Sequence, residues 1–258
     1  KIVVVEDKRL PLVSARLAFR FGDIQDGKDS IGLTGMMTGL LKEGTTTRTS
    51  KQIAEEIEKI GGSVSAASDD DFTYVSASSL SQYTDQIMQL MADVTLNPSF
   101  PQKEIELAKQ NSIQGLDFQR SQPGFLAEEQ LAKKIWGDHP YGITTATKET
   151  ISAINREKLV NFHKQMFIPN NAVLVIVGDV DKNKIANDVA KLFGSWKQGT
   201  LPAANFPAPP TRTDKTLTIV NRDGSSQSNI LMANLGINRT DPDFFPLLVM
   251  NQIYGGGA

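Results

Sequence analysis

Residues 31–45, IGLTGMMTGLLKEGT, supply the element around which the rest of the chain is built. Leu33, Met36, Met37, Leu40 and Leu41 recur at i, i+3, i+4, i+7 and i+8, the spacing that lines one face of a helix with large apolar side chains. That face predicts core. Gly32, Gly35 and Gly39 fall on a second stripe beside it, and Gly44 stands where a helix would stop in the left-handed conformation. Glycine within a helix costs about 1 kcal/mol against alanine, so Gly35 and Gly39 together forgo roughly 2 kcal/mol of helix propensity. A cost of that size asks for a physical reason.

The neighbouring stretches read as strands and helices in alternation. Residues 2–5 form an apolar strand. From Leu12 to Phe21, Val13, Ala15, Leu17, Phe19 and Phe21 alternate with Ser14, Arg16 and Arg20, the pattern of a half-exposed antiparallel strand. Ser50 reads as the N-cap of a helix through Ile53, Ile57 and Ile60 that Gly61-Gly62 closes. Residues 64–67 and 72–79 read as paired strands joined across Asp69, Asp70 and Asp71.

Further helices are expected around Ile87 to Val94, from Pro101 to about Phe118, and from Phe125 to Trp136. Residues 138–142 break the pattern, a helix follows at 156–166, a strand at 172–177 and an amphipathic helix at 182–193. The class this predicts is α+β, an antiparallel or mixed sheet covered by helices.

Pro202, Pro207, Pro209 and Pro210 mark residues 198–215 as an extended linker after a first domain of residues 1–197. Residues 217–220, 230–235 and 243–254 then repeat strand, strand, helix, with Gly255, Gly256 and Gly257 at the end, so 216–258 reads as the incomplete start of a second, similar domain. Two strands and a helix cannot bury a core alone, and these residues are expected to lean on the first domain or to belong to a longer polypeptide.

The composition excludes several classes. The chain has 258 residues, 40% of them hydrophobic, a formal charge of -2 and a pI near 5.8, which gives no electrostatic ground for nucleic acid. Cysteine is absent, so thiolate metal sites and cysteine nucleophiles are excluded. No apolar run approaches the roughly 18 residues of a membrane span, and KIVVVED opens the chain as a strand rather than a signal peptide, as if continuing from upstream residues. Periplasm and cytoplasm both fit, the periplasm slightly favoured.

The helix at 31–45 resembles the first core helix of the pitrilysin and insulinase zinc metallopeptidases, the family of the mitochondrial processing peptidase. The resemblance extends along the chain. It includes IGGSVSAASDDDFTYVSASSL at 60–80, HPYG at 139–142, PNNAVLVIVGDV at 169–180 and DPDFFPLLVMNQIYGGG at 241–257. In that family a Gly-Leu-x-His-x-x-Glu-His pattern lets two histidines hold zinc while the glutamate activates its water.

Here Gly32 and Leu33 match the opening of that pattern and Gly44-Thr45 its close. Gly35 and Gly39 stand at the histidine positions, Thr38 at the glutamate, and Gly115, beside Gln114, where a third ligand would come. The resemblance therefore implies a degenerate site with no zinc and no catalytic residue, although zinc is expected in the family.

Elsewhere, His163 shares a face with Leu159, Phe162 and Met166 and reads as a core histidine rather than a ligand. His139 reads as a loop hydrogen-bonding group, and the three aspartates at 69–71 as a solvated turn rather than a calcium loop. The resemblance places an exposed sheet edge at Ser65, Ala66, Ala67 and Ser68, where a peptide could add as a strand; a plain internal strand fits the sequence equally. It implies a non-catalytic subunit that partners a zinc-bearing homologue or self-associates and helps enclose a peptide or unfolded segment. A structural or peptide-binding scaffold with no protease partner is the alternative, and an enzyme with an unrecognised metal site a third reading.

Overall fold

Strict alternation makes the central strand of this computed structural model, which describes residues 1–211 and 214–256. Strand β2 (Leu12–Phe19) buries Val13, Ala15, Leu17 and Phe19 and exposes Leu12, Ser14 and Arg16. It lies antiparallel to β4 (Thr73–Leu80) on one side and to β5 (Ala172–Gly178) on the other. Strand β1 (Ile2–Glu6) runs parallel to β5, and β3 (Ser63–Ser68) pairs antiparallel with β4. The result is a five-stranded mixed sheet in the order β1-β5-β2-β4-β3, with β1 and β3 as its edges.

The helices are α1 (Leu33–Leu40), α2 (Ser50–Lys59), α3 (Thr84–Leu96), α4 (Gln102–Arg120), α5 (Pro123–Trp136), α6 (Lys148–Ser152), α7 (Arg156–Met166), α8 (Lys182–Phe193) and α9 (Phe244–Asn251). The buried sheet residues join one hydrophobic cluster with Met37, Leu40 and Leu41, with Ile87, Leu90 and Met91 of α3, with Leu159 and Met166 of α7, and with Ile185 and Val189 of α8. Each such side chain contributes about 1.5–3 kcal/mol when fully buried. All five apolar residues read from the opening stretch belong to this core. Gly178 ends β5 at φ +141, where a Cβ would run into the Leu12 backbone, so only glycine fits that close approach.

Several local expectations are corrected. The cap of α2 is Thr49, not Ser50: Thr49 Oγ1 accepts from the Gln52 amide while Gln52 Oε1 accepts from the Thr49 amide, a reciprocal box that Ser50 cannot form. Gly44 does not close α1. The helix ends at Leu40, and Gly44 sits beyond three intervening residues at φ +143, bridged to Thr49.

By contacts the chain divides into residues 1–122 with 144–206, and residues 123–143 with those from Pro207 on. Within the second unit, α5 is followed by a 3-10 turn at Pro140–Gly142, where Trp136 and Tyr141 meet edge-on at 5.0 Å. Residues 217–220 and 230–235 do not form the expected strands. They are described without ladder partners, and Leu217, Ile219, Ile230 and Met232 are at least 80% exposed. Alternating apolar residues make a strand only when a partner supplies hydrogen bonds and a covering layer. Helix α9 stops at Asn251 and passes into a wider π turn at Gln252–Gly256, where Gly255 has φ +110. Gly257 lies outside the described residues.

Candidate functional site

Helix α1 packs along the edge strand β3 and against α4, and between α1, α4 and the segment that precedes α6 lies a cavity of about 620 Å³. Gly35 and Gly39 form part of its wall, with Met36, Leu40, Leu107 and Leu116 around them. The glycine stripe thus faces open space: a Cβ built at Gly35, Gly39 or Gly115 meets nothing within 4 Å. Among the described residues no backbone from outside their own helices presses on those glycines. Replacing both Gly35 and Gly39 with alanine is therefore expected to stabilise the protein by about 1 kcal/mol each, read as a rise in the urea midpoint at unchanged slope.

The four degenerate positions do not all meet. Gly35 and Gly39 share the cavity wall, whereas Thr38 and Gly115 do not line it. Thr38 is buried on the core side, and its Oγ1 donates to the Gly35 carbonyl at 2.9 Å, so the hydroxyl is spent within its own helix. Gly115 is exposed on α4, next to Leu116, which does line the cavity.

Zinc does not fit these residues. Glycine offers no ligand atom, the carboxylates on the wall are Glu43 and Glu104, and neither histidine lines it. Among the described residues no group of three or more histidines, cysteines and carboxylates comes together.

Ser65, Ala66, Ala67 and Ser68 lie on β3, which among the described residues pairs with β4 alone and stands at the edge of the sheet. Beside the start of this edge, Ile53, Ala54 and Ile57 of α2 line a groove of about 450 Å³ with Lys42, Glu43, Ser63 and Val64.

His163 is buried. Its Nε2–H donates to the Thr95 carbonyl at 2.8 Å, its ring stacks on Phe167 at 4.5 Å, and burial pulls its pKa down to about 4. His139 caps the short turn after α5, accepting from the Tyr141 amide through Nδ1 at 3.2 Å. Asp69 accepts from the Asp71 and Phe72 amides, which makes the aspartate run a tight turn.

One polar group at the site was not legible in the sequence. Helix α1 is preceded at its cap position by Gly32, which has no side chain to cap it. Asp26 does so from outside, accepting from the Gly32 amide at 2.8 Å, the Thr34 amide at 3.1 Å and Thr34 Oγ1 at 2.6 Å. Burial pushes the Asp26 carboxyl up to about 6, and the negative charge of Asp23 pushes the same way against the Thr34 hydrogen bonds. The eight-residue reach from Asp26 to Thr34 is outside the spacing of a capping box, which hides it from a motif reading.

A helix-covered mixed sheet whose edge strand runs beside a helix with glycines along one face defines a metallopeptidase-type frame. The chain belongs to the insulinase family, peptidase family M16. The family's pattern matches residues 1–149, and that of the peptidase M16 inactive domain matches residues 153–258.

An uncharacterised zinc protease of Rickettsia felis is 31% identical over 189 residues, covering 72% of this chain and 46% of that protein. The zinc protease YmxG of Bacillus subtilis is 23% identical over 226 residues, 87% of this chain and 54% of the relative. The chain thus spans about half the length of the curated relatives it matches.

Among solved structures, a peptidase M16 inactive domain from Pseudomonas fluorescens superposes with a TM-score of 0.83 at 26% identity, over 100% of this chain and 62% of its own. The periplasmic protease PqqL of Escherichia coli shares the fold, with a TM-score of 0.70 at 15% identity over 80% of this chain and 24% of its own. Among the described residues no helix is long and apolar enough to cross a membrane.

Proposed function

We propose that this chain is a non-catalytic member of a two-part peptidase, binding an extended peptide along β3 while a zinc-bearing homologue cleaves it. The observation that carries this reading is the pairing of a free edge built from Ser65, Ala66, Ala67 and Ser68 with an adjacent helix whose side-chain positions are empty. Main-chain hydrogen bonds to a sheet edge need no metal, and the small side chains let a second backbone approach. The cavity beside Gly35 and Gly39 and the groove beside Ile57 offer room for side chains of the added strand. The division into a first domain at 1–197, a linker at 198–215 and the start of a second domain from 216 belongs to the same proposal.

Mixing the natural full-length protein with a zinc-bearing homologue tests it. Peptide cleavage faster than with the homologue alone is expected, and an equal rate overturns the subunit role. Gly39→Phe would fill the cavity from a position where a Cβ has open space, and it is expected to weaken binding of an extended peptide about tenfold, or about 1.4 kcal/mol.

The scaffold reading draws on a different observation, the exposure of Leu217, Ile219, Ile230 and Met232 in the second unit. It predicts a stable assembly with unrelated proteins, and copurification with an active peptidase counts against it.

A further inference from the structure

The cavity between α1, α4 and the segment before α6 carries charge of one sign. Its wall is largely apolar, with Met36, Leu40, Leu107 and Leu116 beside the bare Gly35 and Gly39. The ionisable side chains on that wall are Glu43, which follows α1, and Glu104, in the first turn of α4. Ser50 Oγ donates to Glu43 Oε2 at 2.6 Å. Among the described residues no lysine or arginine forms an ion pair with either carboxylate. Lys42, beside Glu43 in sequence, is exposed and lines the neighbouring groove instead.

Volume and chemistry together select the class of ligand. At about 620 Å³ the space has the size of a small-molecule site. A neutral apolar occupant would strip water from two carboxylates and return no partner to them. An anion would be repelled, and a hydrated metal ion would leave the apolar wall uncovered. An alkylammonium or guanidinium group on an aliphatic stem satisfies both halves of the wall. Its head makes charge-assisted hydrogen bonds to the carboxylates, while its methylenes lie along Met36 and the leucines. The missing side chains at Gly35 and Gly39, where a Cβ meets nothing within 4 Å, supply the room.

We propose that this cavity is a site for an organic cation, an alkylammonium or guanidinium group on an aliphatic chain, seated on the glycine face of α1 with its charge shared by Glu43 and Glu104. The group comes either from a lysine or arginine side chain of a bound segment or from a free alkylamine, since both present the same chemistry. The glycine stripe then has a positive use, because side chains at those positions would fill the space the aliphatic stem takes. Strand addition at β3 is not required, as a free amine has no backbone to pair.

Titration calorimetry of the natural full-length protein tests it with two pairs of matched shape: butylguanidinium against butylurea, and a short alanine peptide with one central arginine against the same peptide with citrulline. The cationic member of at least one pair is expected to bind about tenfold or more tighter than its neutral counterpart. Preference in both pairs shows that a free cation suffices; preference in the peptide pair alone assigns the group to a bound segment. The double variant Glu43→Gln with Glu104→Gln keeps the shape of the wall and an acceptor for Ser50, and it is expected to reduce the preference to less than about threefold. No preference in either pair, or one undiminished in the double variant, overturns the proposal. Should the double variant not fold, Gly39→Phe serves instead: it fills the space and leaves both carboxylates in place, and it is expected to weaken the bound cation at least about tenfold. Unchanged affinity there puts the cation outside the cavity and overturns the proposal. Butylguanidinium binding without any peptide binding would sink strand addition at β3 and leave the cation site standing.

Discussion

Replacing His163 with glutamine is expected to change the stability gap from wild type by about 3 kcal/mol between pH 6.5 and pH 4. The wild-type imidazole is held neutral by burial, with a pKa of about 4 in place of 6.5. The unfolded chain therefore takes up a proton across that window while the folded chain does not. Stability from His163 is fully present above pH 6.5 and is lost as pH falls to about 4. Glutamine keeps an N–H donor for the Thr95 carbonyl and removes the titration.

Asp26 works against this in the wild type. Its folded pKa of about 6 lies above the ordinary 3.8, so its contribution is present at low pH and fades as pH rises from about 4 to about 6. The two slopes oppose each other, and the wild-type curve is expected to be flatter than that of either variant. Urea midpoints of the wild type and His163→Gln at pH 4, 5, 6 and 7 read the effect directly. A gap that does not change with pH would mean that His163 binds its proton equally well in the folded and unfolded chain.

What the sequence made legible was whatever repeats locally. The period-two alternation at Val13 to Phe19 and the helical spacing at Leu33 to Leu41 each need only one element to be recognised, and both sets of residues are core. The bounds of α7 and α8, at Arg156–Met166 and Lys182–Phe193, agree with the reading because Asn155 and Asp181 cap them through local hydrogen bonds.

The parallel pairing of β1 with β5 joins residues about 170 apart, such as Ile2 and Leu174, and no local pattern carries that register. The same limit applies to the site. That Gly35 and Gly39 would be bare followed from the residues alone, but that they would face a cavity needed α4 and the segment before α6 to be in place. Residues 217–220 and 230–235 show the converse, an alternating pattern without the ladder that would make it a strand.

Asp93→Ala is expected to cost about 3–5 kcal/mol, the range for breaking a buried ion pair from one side. Asp93 is 8% exposed on α3. Its carboxylate accepts from Thr45 Oγ1 at 2.7 Å, Arg48 Nη1 at 2.7 Å, Asn97 Nδ2 at 3.0 Å and Thr47 Oγ1 at 3.2 Å. Burial opposes ionisation here, but the bonds from Asn97, Thr45 and Arg48 outweigh it and hold the carboxyl below its usual range.

Three of the four donors sit on the segment between α1 and α2, so the carboxylate fastens the C-terminal end of the glycine-faced helix to α3. Truncation leaves the Thr45 hydroxyl and the Arg48 guanidinium without their shared acceptor. Arg48 retains Glu56 as a second partner at 3.1 Å, which limits the loss on that side. Asp93→Asn, which keeps an acceptor and loses the charge, is expected to cost about half as much. A double-mutant cycle with Arg48→Met separates the pair from its surroundings: a coupling of at least about 1 kcal/mol is expected, and additive losses would show that the loop is held by the threonines alone.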